Sequence, residues 1–231
     1  MAEDNRFTIL YEDDSLTVVF KKAGLAVQTR KIAEEDLESL LKKKVAGERK
    51  AGSEKIFLAP INRLDQPVEG LVIFAKTSRA AEALTAQLKA GKITKIYEAG
   101  IYGSFAESEK EGILKDRLYK DERANVSRVV RPGDRDYNKG KDAELHYQEV
   151  APGKLRIRLI TGRHHQIRVQ LSHAGHPILG DFKYGTEASI EESKRQEIRR
   201  LMLTAAELHF THPVTKQPMH FISPNFLTHT D

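Results

Sequence analysis

The feature that most constrains the fold of this chain is the irregular order in which strand-like and helix-like segments follow one another. The opening ILYEDDSLTVVFKKAGLAVQ predicts two strands joined by an Asp-Asp-Ser turn. The apolar runs 56–59 and 71–75 predict two buried strands, with the polar segment PINRLDQPVEG between them. The steady strand–helix–strand rhythm of a parallel sheet is missing. We therefore predict an α+β fold in which helices flank a mixed, largely antiparallel central sheet.

Helices are predicted where apolar residues recur at helical spacing or where caps frame a charged stretch. Four segments meet these criteria: 34–44, 78–89 with Ser78 as its N-cap, 164–175 and 189–201. The segment KITKIYEAGIYG alternates instead, and this alternation places on one strand face Ile93, Lys95, Tyr97, Ala99 and Ile101.

The remaining segments are less regular. Residues 104–142 are highly charged and weakly periodic, which favours short strands with long exposed loops. LRIRLIT predicts a strand, another strand is predicted near 205–210, and the turn-rich THPVTKQPMHFISP follows it.

Length and composition bound the organisation of the chain. With 231 residues it can bury a core without disulfides, so a single domain over 1–231 and a monomer are the simplest expectations. The absence of cysteine excludes disulfides and thiolate metal sites. The N-terminus is too acidic for a signal peptide, and no apolar run approaches the ~20 residues of a membrane span. We expect a cytoplasmic protein without membrane contact.

The distribution of charge says more than the net charge of +5 and the isoelectric point near 9.2. Residues 154–168 (KLRIRLITGRHHQIR) carry five basic side chains and no acid. Such a run is often a solvated face. Here it includes a glycine ahead of a predicted helix and flanking arginines, a combination typical of an anion site. A surface that faces phosphates and a solvated basic helix are both compatible with this pattern.

Other candidates for chemistry are few. Asp65 lies in the polar loop, where an aspartate can serve either catalysis or the turn itself. His164, His165, His173 and His176 cluster in sequence, but their spacing does not suit one metal ion, so no metal is expected. Glycine-rich phosphate loops and the nucleophile motif of hydrolases are absent, so no cofactor is expected.

Taken together, these segments resemble the RluA-type pseudouridine synthase family over nearly the whole chain. The opening hairpin resembles that of the family, and NRLDQPVEGLVIFAKT resembles its catalytic motif, HRLDxxTSGLLLxAK. KIYEAGIYG resembles the family's Lys-x-Tyr strand. ITGRHHQIRVQLSHAGHPILGDFKYG is similar to the signature TGRTHQIRVHLxxxGHPIxGDxxYG, and LMLTAAELHFTHPVTKQP resembles the C-terminal strand and turn. Five matches in the same order are specific.

The resemblance implies an enzyme that isomerises a uridine of ribosomal or transfer RNA. It implies that Asp65 is the nucleophile, that Tyr97 stacks on the target base, and that Arg168 pairs with the aspartate. Arg63 would enter the RNA where the base leaves its stack. The substrate would also contact Arg163, His165 and Gln166.

The chain departs from the family pattern at several positions. Asn62 stands where the family has His, QPVEG replaces the threonine-serine-glycine stretch and brings in Glu69, and His164 replaces Ser or Thr. From the resemblance we expect a chain that begins at the catalytic domain, without the S4-type RNA-binding domain of many relatives. Because the 62–69 loop departs from the family motif, an inactive RNA-binding or RNA-chaperone protein on the same fold is an alternative, and a base-releasing, glycosidase-like or nucleotide-cleaving enzyme is a third possibility.

Overall fold

The computed structural model describes residues 4–29, 34–48 and 56–224. These residues form two compact units, one made of the described residues up to Thr94 and from Ala205 onward, the other of Lys95–Thr204. A single domain over 1–231 stays a prediction. None of the helices in these ranges is long and apolar enough to cross a membrane.

In chain order the described elements are β1 (Phe7–Glu12), β2 (Leu16–Lys21), α1 (Leu37–Glu48), β3 (Ala59–Pro60), β4 (Glu69–Ala75), α2 (Ser78–Lys89), β5 (Thr94–Gly100), β6 (Glu111–Asp121), β7 (Val126–Val129), β8 (Lys141–Ala151), β9 (Lys154–Leu159), α3 (Gln166–His173), α4 (Glu187–Arg195), β10 (Leu203–Thr211) and β11 (Pro218–Ile222).

The sheet of the first unit has the strand order β1-β2-β4-β10, with β3 beside β4 and β11 beside β10. Antiparallel pairing joins β1 to β2, β2 to β4 and β10 to β11. Every residue of β2 and β4 is buried, so these two strands carry apolar side chains on both faces. Helix α2 covers one face, where its Ala80 and Leu84 join a core that includes Phe20, Ile73 and Leu208.

The sheet of the second unit has the strand order β5-β9-β8-β6-β7, and all of its pairs are antiparallel. Helix α3 packs against β6 and β7, with Val169 in a small core beside Leu118 and Ala143. The predicted α+β fold with a mixed, largely antiparallel sheet and flanking helices is confirmed.

Several predicted boundaries were wrong. The strand expected at 56–59 is limited to Ala59–Pro60, and the helix expected at 189–201 spans Glu187–Arg195. Thr77, not Ser78, caps α2, because the Thr77 side chain accepts a hydrogen bond from the backbone N–H of Ala80. The turn-rich tail contains β11, whose residues pair with β10 and leave their alternate side chains exposed.

The charged segment 104–142 was the largest error. It contains the eleven-residue strand β6, whose first six side chains alternate between exposed and half-buried positions and whose remaining side chains are half-buried or buried. Charges on β6 lie opposite charges on β8: Lys115 faces Glu144 at 3.2 Å, and Arg117 faces Asp142 at 2.7 Å. Because these pairs form between strands, a hydrophobic pattern along one strand does not show them.

Candidate active site

The loop that carries Asp65 joins β3 to β4 and begins at Asn62. The Asn62 side chain accepts the backbone N–H of Ile73 at 2.9 Å and donates to the carbonyl of Leu71 at 3.0 Å. The N–H of Ile61 also bonds to the carbonyl of Ile73, so the β3–β4 pairing continues for two residues after β3 ends, first through the backbone of Ile61 and then through the Asn62 amide. The departure from the family's histidine has a structural role of its own, since it attaches the start of the loop to a buried strand.

Within the loop, buried and solvent-facing side chains alternate. Leu64 is buried, whereas Arg63 is exposed and Asp65 is half-buried. The carbonyl of Asp65 accepts the N–H of Val68 at 3.0 Å, which closes the turn. Burial of Leu64 and Val68 on either side of Asp65 holds the aspartate in place.

A buried lysine lies beneath this loop. Lys21 at the end of β2 has no exposed surface, and its ammonium donates to the carbonyls of Leu25 at 2.7 Å, Lys22 at 3.1 Å and Gln66 at 3.2 Å. Burial lowers the pKa of Lys21 to about 8, although the negative charges of Asp65 and Glu69 act in the opposite direction. Lys21 thus anchors the backbone next to Asp65 and attracts its carboxylate.

The second departure from the family motif ends at a glycine that cannot be replaced. Gly70 has φ +131°, and a Cβ on it would lie 2.4 Å from the carbonyl oxygen of Ala205. Only glycine fits this close approach between backbones. The preceding Glu69 is buried and lies within the electrostatic reach of Lys21, so the additional acid has a cationic neighbour.

Tyr97 lies on β5 of the second unit, on the face predicted from the alternation. Lys95, Tyr97 and Ala99 are all buried, as expected for side chains that share this face. Tyr97 pairs with Ile157 on β9, and Ile96 pairs with Arg158. Because paired residues of antiparallel strands point to the same face, Arg158 lies on the opposite face from Tyr97. Lys154, Arg156 and Arg158, two apart along β9, share that opposite face.

The turn before α3 is held together by the amide of Gln166. Its oxygen accepts the Thr161 hydroxyl at 2.8 Å and the backbone N–H of Arg163 at 3.0 Å, and its nitrogen donates to Glu144 and Gln170. Arg163 is exposed, and its Nε donates to the carbonyl of Asp142 at 2.8 Å. Gln166 therefore shapes the turn with all of its polar atoms, and its contact with a substrate stays a prediction.

Two stacked histidines precede α3. The rings of His164 and His165 lie 3.6 Å apart, and His165 adopts a left-handed conformation with φ 54°. His164 Nδ1 hydrogen-bonds to the Ser127 hydroxyl at 2.9 Å, and His165 Nδ1 to the Tyr184 hydroxyl at 2.6 Å. Burial, followed by the positive charge of Arg168, lowers the pKa of His165 to about 3, and burial lowers that of His164 to about 4. Both rings are neutral at pH 7.

Arg168 is buried and clamped by a carboxylate. Its Nε and Nη2 donate to the two oxygens of Asp181 at 2.7 and 2.8 Å, a bidentate geometry. Asp181 also accepts the backbone N–H groups of Lys183 and Tyr184. The guanidinium lies 5.0 Å from the centroid of the Tyr184 ring, within the range of a cation–π contact. These contacts fix the plane of the guanidinium.

One histidine-containing group in the described residues could be considered for a metal. Potential ligand atoms of Glu207, His209 and His220 lie within 4.8 Å of one another on β10 and β11. The two imidazole rings, however, stack at 3.9 Å with an angle of 14° between their planes. The Nε2 atoms of both rings lie 3.2 and 3.5 Å from the same oxygen of Glu207, so ring stacking and polar contacts with the carboxylate account for this group, and we assign no metal to it. The four histidines considered from the sequence do not form such a group within the described chain.

Each unit brings together part of the predicted site. The first holds Arg63 and Asp65 on one loop, and the second holds Tyr97 on β5 and a group around the start of α3: Arg163, His165, Gln166 and Arg168. The pairing of Asp65 with Arg168 stays a prediction.

Sequence reasoning missed the residues that support this site, namely Lys21, Asp181 and Tyr184. A signal was present for Lys21, a lysine that ends the apolar strand LTVVFK, and for the other two, which belong to the quoted segment GDFKYG.

Known proteins resemble this chain over most of its length. The profile of the family described as RNA pseudouridylate synthase matches residues 15–173. Ribosomal large subunit pseudouridine synthase C of Vibrio vulnificus (strain CMCP6) is 33% identical over 220 residues, which cover 94% of this chain and 65% of the relative. The chain thus spans about two thirds of the length of this relative.

Two further relatives extend the comparison. tRNA pseudouridine synthase C of Haemophilus ducreyi (strain 35000HP / ATCC 700724) is 34% identical over 226 residues, covering 90% of this chain and 87% of the relative. The solved structure of human RNA Pseudouridylate Synthase Domain Containing 1 shares the fold, with a TM-score of 0.73 and 21% identity over 95% of this chain and 83% of that chain. On the family match and these identities, the chain belongs to the RNA pseudouridylate synthase family.

Proposed function

We propose that this chain is an RNA pseudouridine synthase that converts a specific uridine of ribosomal or transfer RNA into pseudouridine, with Asp65 as the nucleophile. The names of its relatives point to these two classes of RNA. The reaction breaks the glycosidic C–N bond, turns the base and joins its C5 to the sugar. It is redox-neutral and needs neither cofactor nor metal. We further propose that the chain acts in the cytoplasm as a monomer.

The observation that carries this proposal is the buried ammonium of Lys21 beside the Asp65 loop. A nucleophilic carboxylate has to be ionised when the substrate arrives. The attraction between Lys21 and Asp65 favours the charged form of the carboxylate, and the bond from Lys21 to the Gln66 carbonyl fixes the adjacent backbone. An aspartate that served only its own turn would not need a fully buried cation nearby.

Arg168 supplies the second positive group of the proposed site. Its guanidinium is held in one plane by Asp181 and the Tyr184 ring, which suits a group that must meet a carboxylate in a defined orientation. In the proposed mechanism Arg168 pairs with Asp65 and stabilises its charge.

Base flipping is the remaining requirement. A uridine inside RNA has to leave its stack, at a cost of a few kcal/mol. We propose that the exposed Arg63 fills the gap in the RNA and that the Tyr97 ring receives the base. His165 contacts the substrate as a neutral ring, and Arg163 contacts it as an exposed cation, so binding weakens as salt rises.

The test is to replace Asp65 by Ala. We expect pseudouridine to disappear from one or a few sites when total RNA is mapped from cells that carry Asp65→Ala, as it does when the gene is deleted. The exposed turn residue Asp14 offers a matched control, and Asp14→Ala is expected to restore the full map.

Three results would count against the proposal. An unchanged map in the deletion strain would show that the chain makes no pseudouridine. If Asp65→Ala leaves the cellular function of the protein untouched while RNA binding stays intact, an RNA-binding or chaperone protein would be favoured. Release of free uracil from RNA by the purified protein would indicate a base-cleaving enzyme.

A further inference from the structure

Lys95 is a lysine with a largely buried side chain, and the described residues offer its ammonium no partner. It lies on the same face of β5 as Tyr97, two residues away, and is 9% exposed. Within the described chain its ammonium makes no hydrogen bond and no ion pair. Burial lowers the pKa of Lys95, and no acidic side chain counteracts this effect. Its Nζ is not among the buried polar atoms left without a partner in the described residues, so the ammonium reaches solvent and is accessible to a ligand.

The Lys95 side chain extends to the turn before α3. A Cβ placed on Gly162 would lie 3.7 Å from the Lys95 ammonium nitrogen, so the two groups are neighbours and the glycine leaves this space open. Neither the backbone N–H of Gly162 nor that of His164 has a partner in the described chain. The eight-residue helix α3 begins two residues after His164, and the N-terminal end of a helix attracts negative charge.

Phosphate is the chemistry that fits these donors. A ligand with a full negative charge stabilises an ammonium more strongly than a neutral carbonyl does, because charge-assisted hydrogen bonds are stronger than those to neutral acceptors. A phosphodiester also has two unesterified oxygens, which can accept from an ammonium and from a backbone N–H together. Because side chains two apart along a strand are separated by about 7 Å, Lys95 lies within one nucleotide of Tyr97.

We propose that Lys95 and the turn formed by residues 161–164 bind one backbone phosphate of the RNA, next to the nucleotide that Tyr97 receives. This inference rests on the proposed function for the identity of the ligand. It adds a phosphate-binding position that the basic run 154–168 did not reveal, because Lys95 lies on a different strand from that run.

The first experiment measures binding of a single-stranded RNA oligonucleotide that contains one uridine within the mapped target sequence, by fluorescence anisotropy at several salt concentrations. The protein carries Asp65→Ala, so no turnover occurs. We expect Lys95→Met to weaken binding about fivefold and to reduce the slope of log K against log salt by about 0.7, the value for one phosphate on a single strand. Lys92→Met is the matched control, since Lys92 is exposed and lies three residues earlier, and it is expected to change neither quantity.

The second experiment locates the phosphate. Methylphosphonate, which is uncharged, replaces each phosphodiester of the same oligonucleotide in turn. We expect the replacement at one position beside the target uridine to weaken binding to the protein that retains Lys95. The same replacement should not weaken binding to the Lys95→Met variant any further. Equal losses at every position in both proteins would overturn the proposal.

A third measurement does not depend on any substitution at Lys95. NMR of the lysine side-chain carbons follows the titration of Lys95 in the unsubstituted site, alone, with the RNA and with inorganic phosphate. We expect the pKa of Lys95 to rise on RNA binding, because the phosphate stabilises the charged form. If the pKa of Lys95 rises with inorganic phosphate but not with the RNA, Lys95 belongs to a free-anion site. That result would overturn the assignment to RNA. The proposed function is judged separately, by loss of pseudouridine in Asp65→Ala.

Discussion

The Asp65 loop of the first unit and the Arg168 helix of the second unit fix charged groups in opposite ways. In the first, a buried cation, Lys21, holds the backbone beside a half-buried carboxylate through three carbonyl oxygens. In the second, the buried carboxylate of Asp181 accepts two hydrogen bonds from the guanidinium of Arg168, one at each oxygen. Because Lys21 binds only backbone carbonyls, both carboxylate oxygens of Asp65 are left to other interactions. The ion pair with Asp181 uses one edge of the Arg168 guanidinium, so the remaining donors of that group are left to other interactions.

The difference agrees with what each group is proposed to do. A nucleophilic carboxylate needs an accessible oxygen. Contacts to its main chain hold it in place without covering that oxygen. A residue that orients and stabilises another charge needs a fixed plane, which a bidentate ion pair provides. The comparison predicts that the two supports differ in how strongly stability depends on them and in their response to pH.

We expect the largest effect on stability when the bidentate ion pair between Asp181 and Arg168 is removed. Asp181→Ala removes both hydrogen bonds to a buried guanidinium, and we expect it to lower the free energy of unfolding by about 3–5 kcal/mol in urea titrations. Asp142→Ala is the control, because Asp142 pairs with Arg117 at the surface and its loss should cost under ~1 kcal/mol. Similar losses in the two variants would contradict the distinction between a buried clamp and a surface pair.

The pH dependence of stability tests the role of Lys21, which holds the backbone beside Asp65. Because the pKa of Lys21 falls from 10.5 to about 8 on folding, the native protein releases this proton at a lower pH than the unfolded chain. Stability relative to Lys21→Met is therefore expected to be constant below pH 8, to rise by about 3 kcal/mol between pH 8 and 10.5, and to level off above that.

Chemical denaturation across this pH range gives the difference directly, because groups that do not interact with Lys21 titrate alike in the two proteins. Lys22→Met provides the comparison, since Lys22 is the exposed neighbour on the same segment. A flat difference between the unsubstituted protein and Lys21→Met would show that the buried ammonium is not destabilised as its environment indicates.

The smallest effect is expected from the hydroxyl of Tyr184, which exists only on the Arg168 side of the comparison. It accepts the backbone N–H of Ser127 at 2.8 Å and hydrogen-bonds to His165. Tyr184→Phe keeps the ring beside Arg168 and leaves the Ser127 N–H without this acceptor, so we expect a loss of about 1–2 kcal/mol in urea titrations. Tyr119→Phe should cost less, because the Tyr119 hydroxyl makes no hydrogen bond within the described chain. An equal loss of stability in Tyr184→Phe and Tyr119→Phe would show that Tyr184 contributes through its ring alone.

Much of the fold followed from local patterns. The hairpin of β1 and β2, the buried face of β5 and the helices α2 and α3 could be predicted because alternation, helical spacing and turn residues lie within a few positions of one another. Strand β6 was missed because its charges are satisfied by β8, some 25 residues later, and not by neighbours along the strand. Asp65, Tyr97 and Arg168 could be proposed as a site only through resemblance to a family, since none of them is distinctive in its own segment.

The sequence by itself determined which segments form strands and helices, which residues face a core, and which family the motifs resemble, since all of these depend on short-range order. Only the tertiary structure decided which buried charge supports which functional group. Lys21 meets the Gln66 carbonyl across 45 positions, and Arg168 meets Asp181 across 13. The pairing energy of buried charges depends on distance in space and on exclusion of water, and neither quantity is encoded in the spacing of residues along the chain.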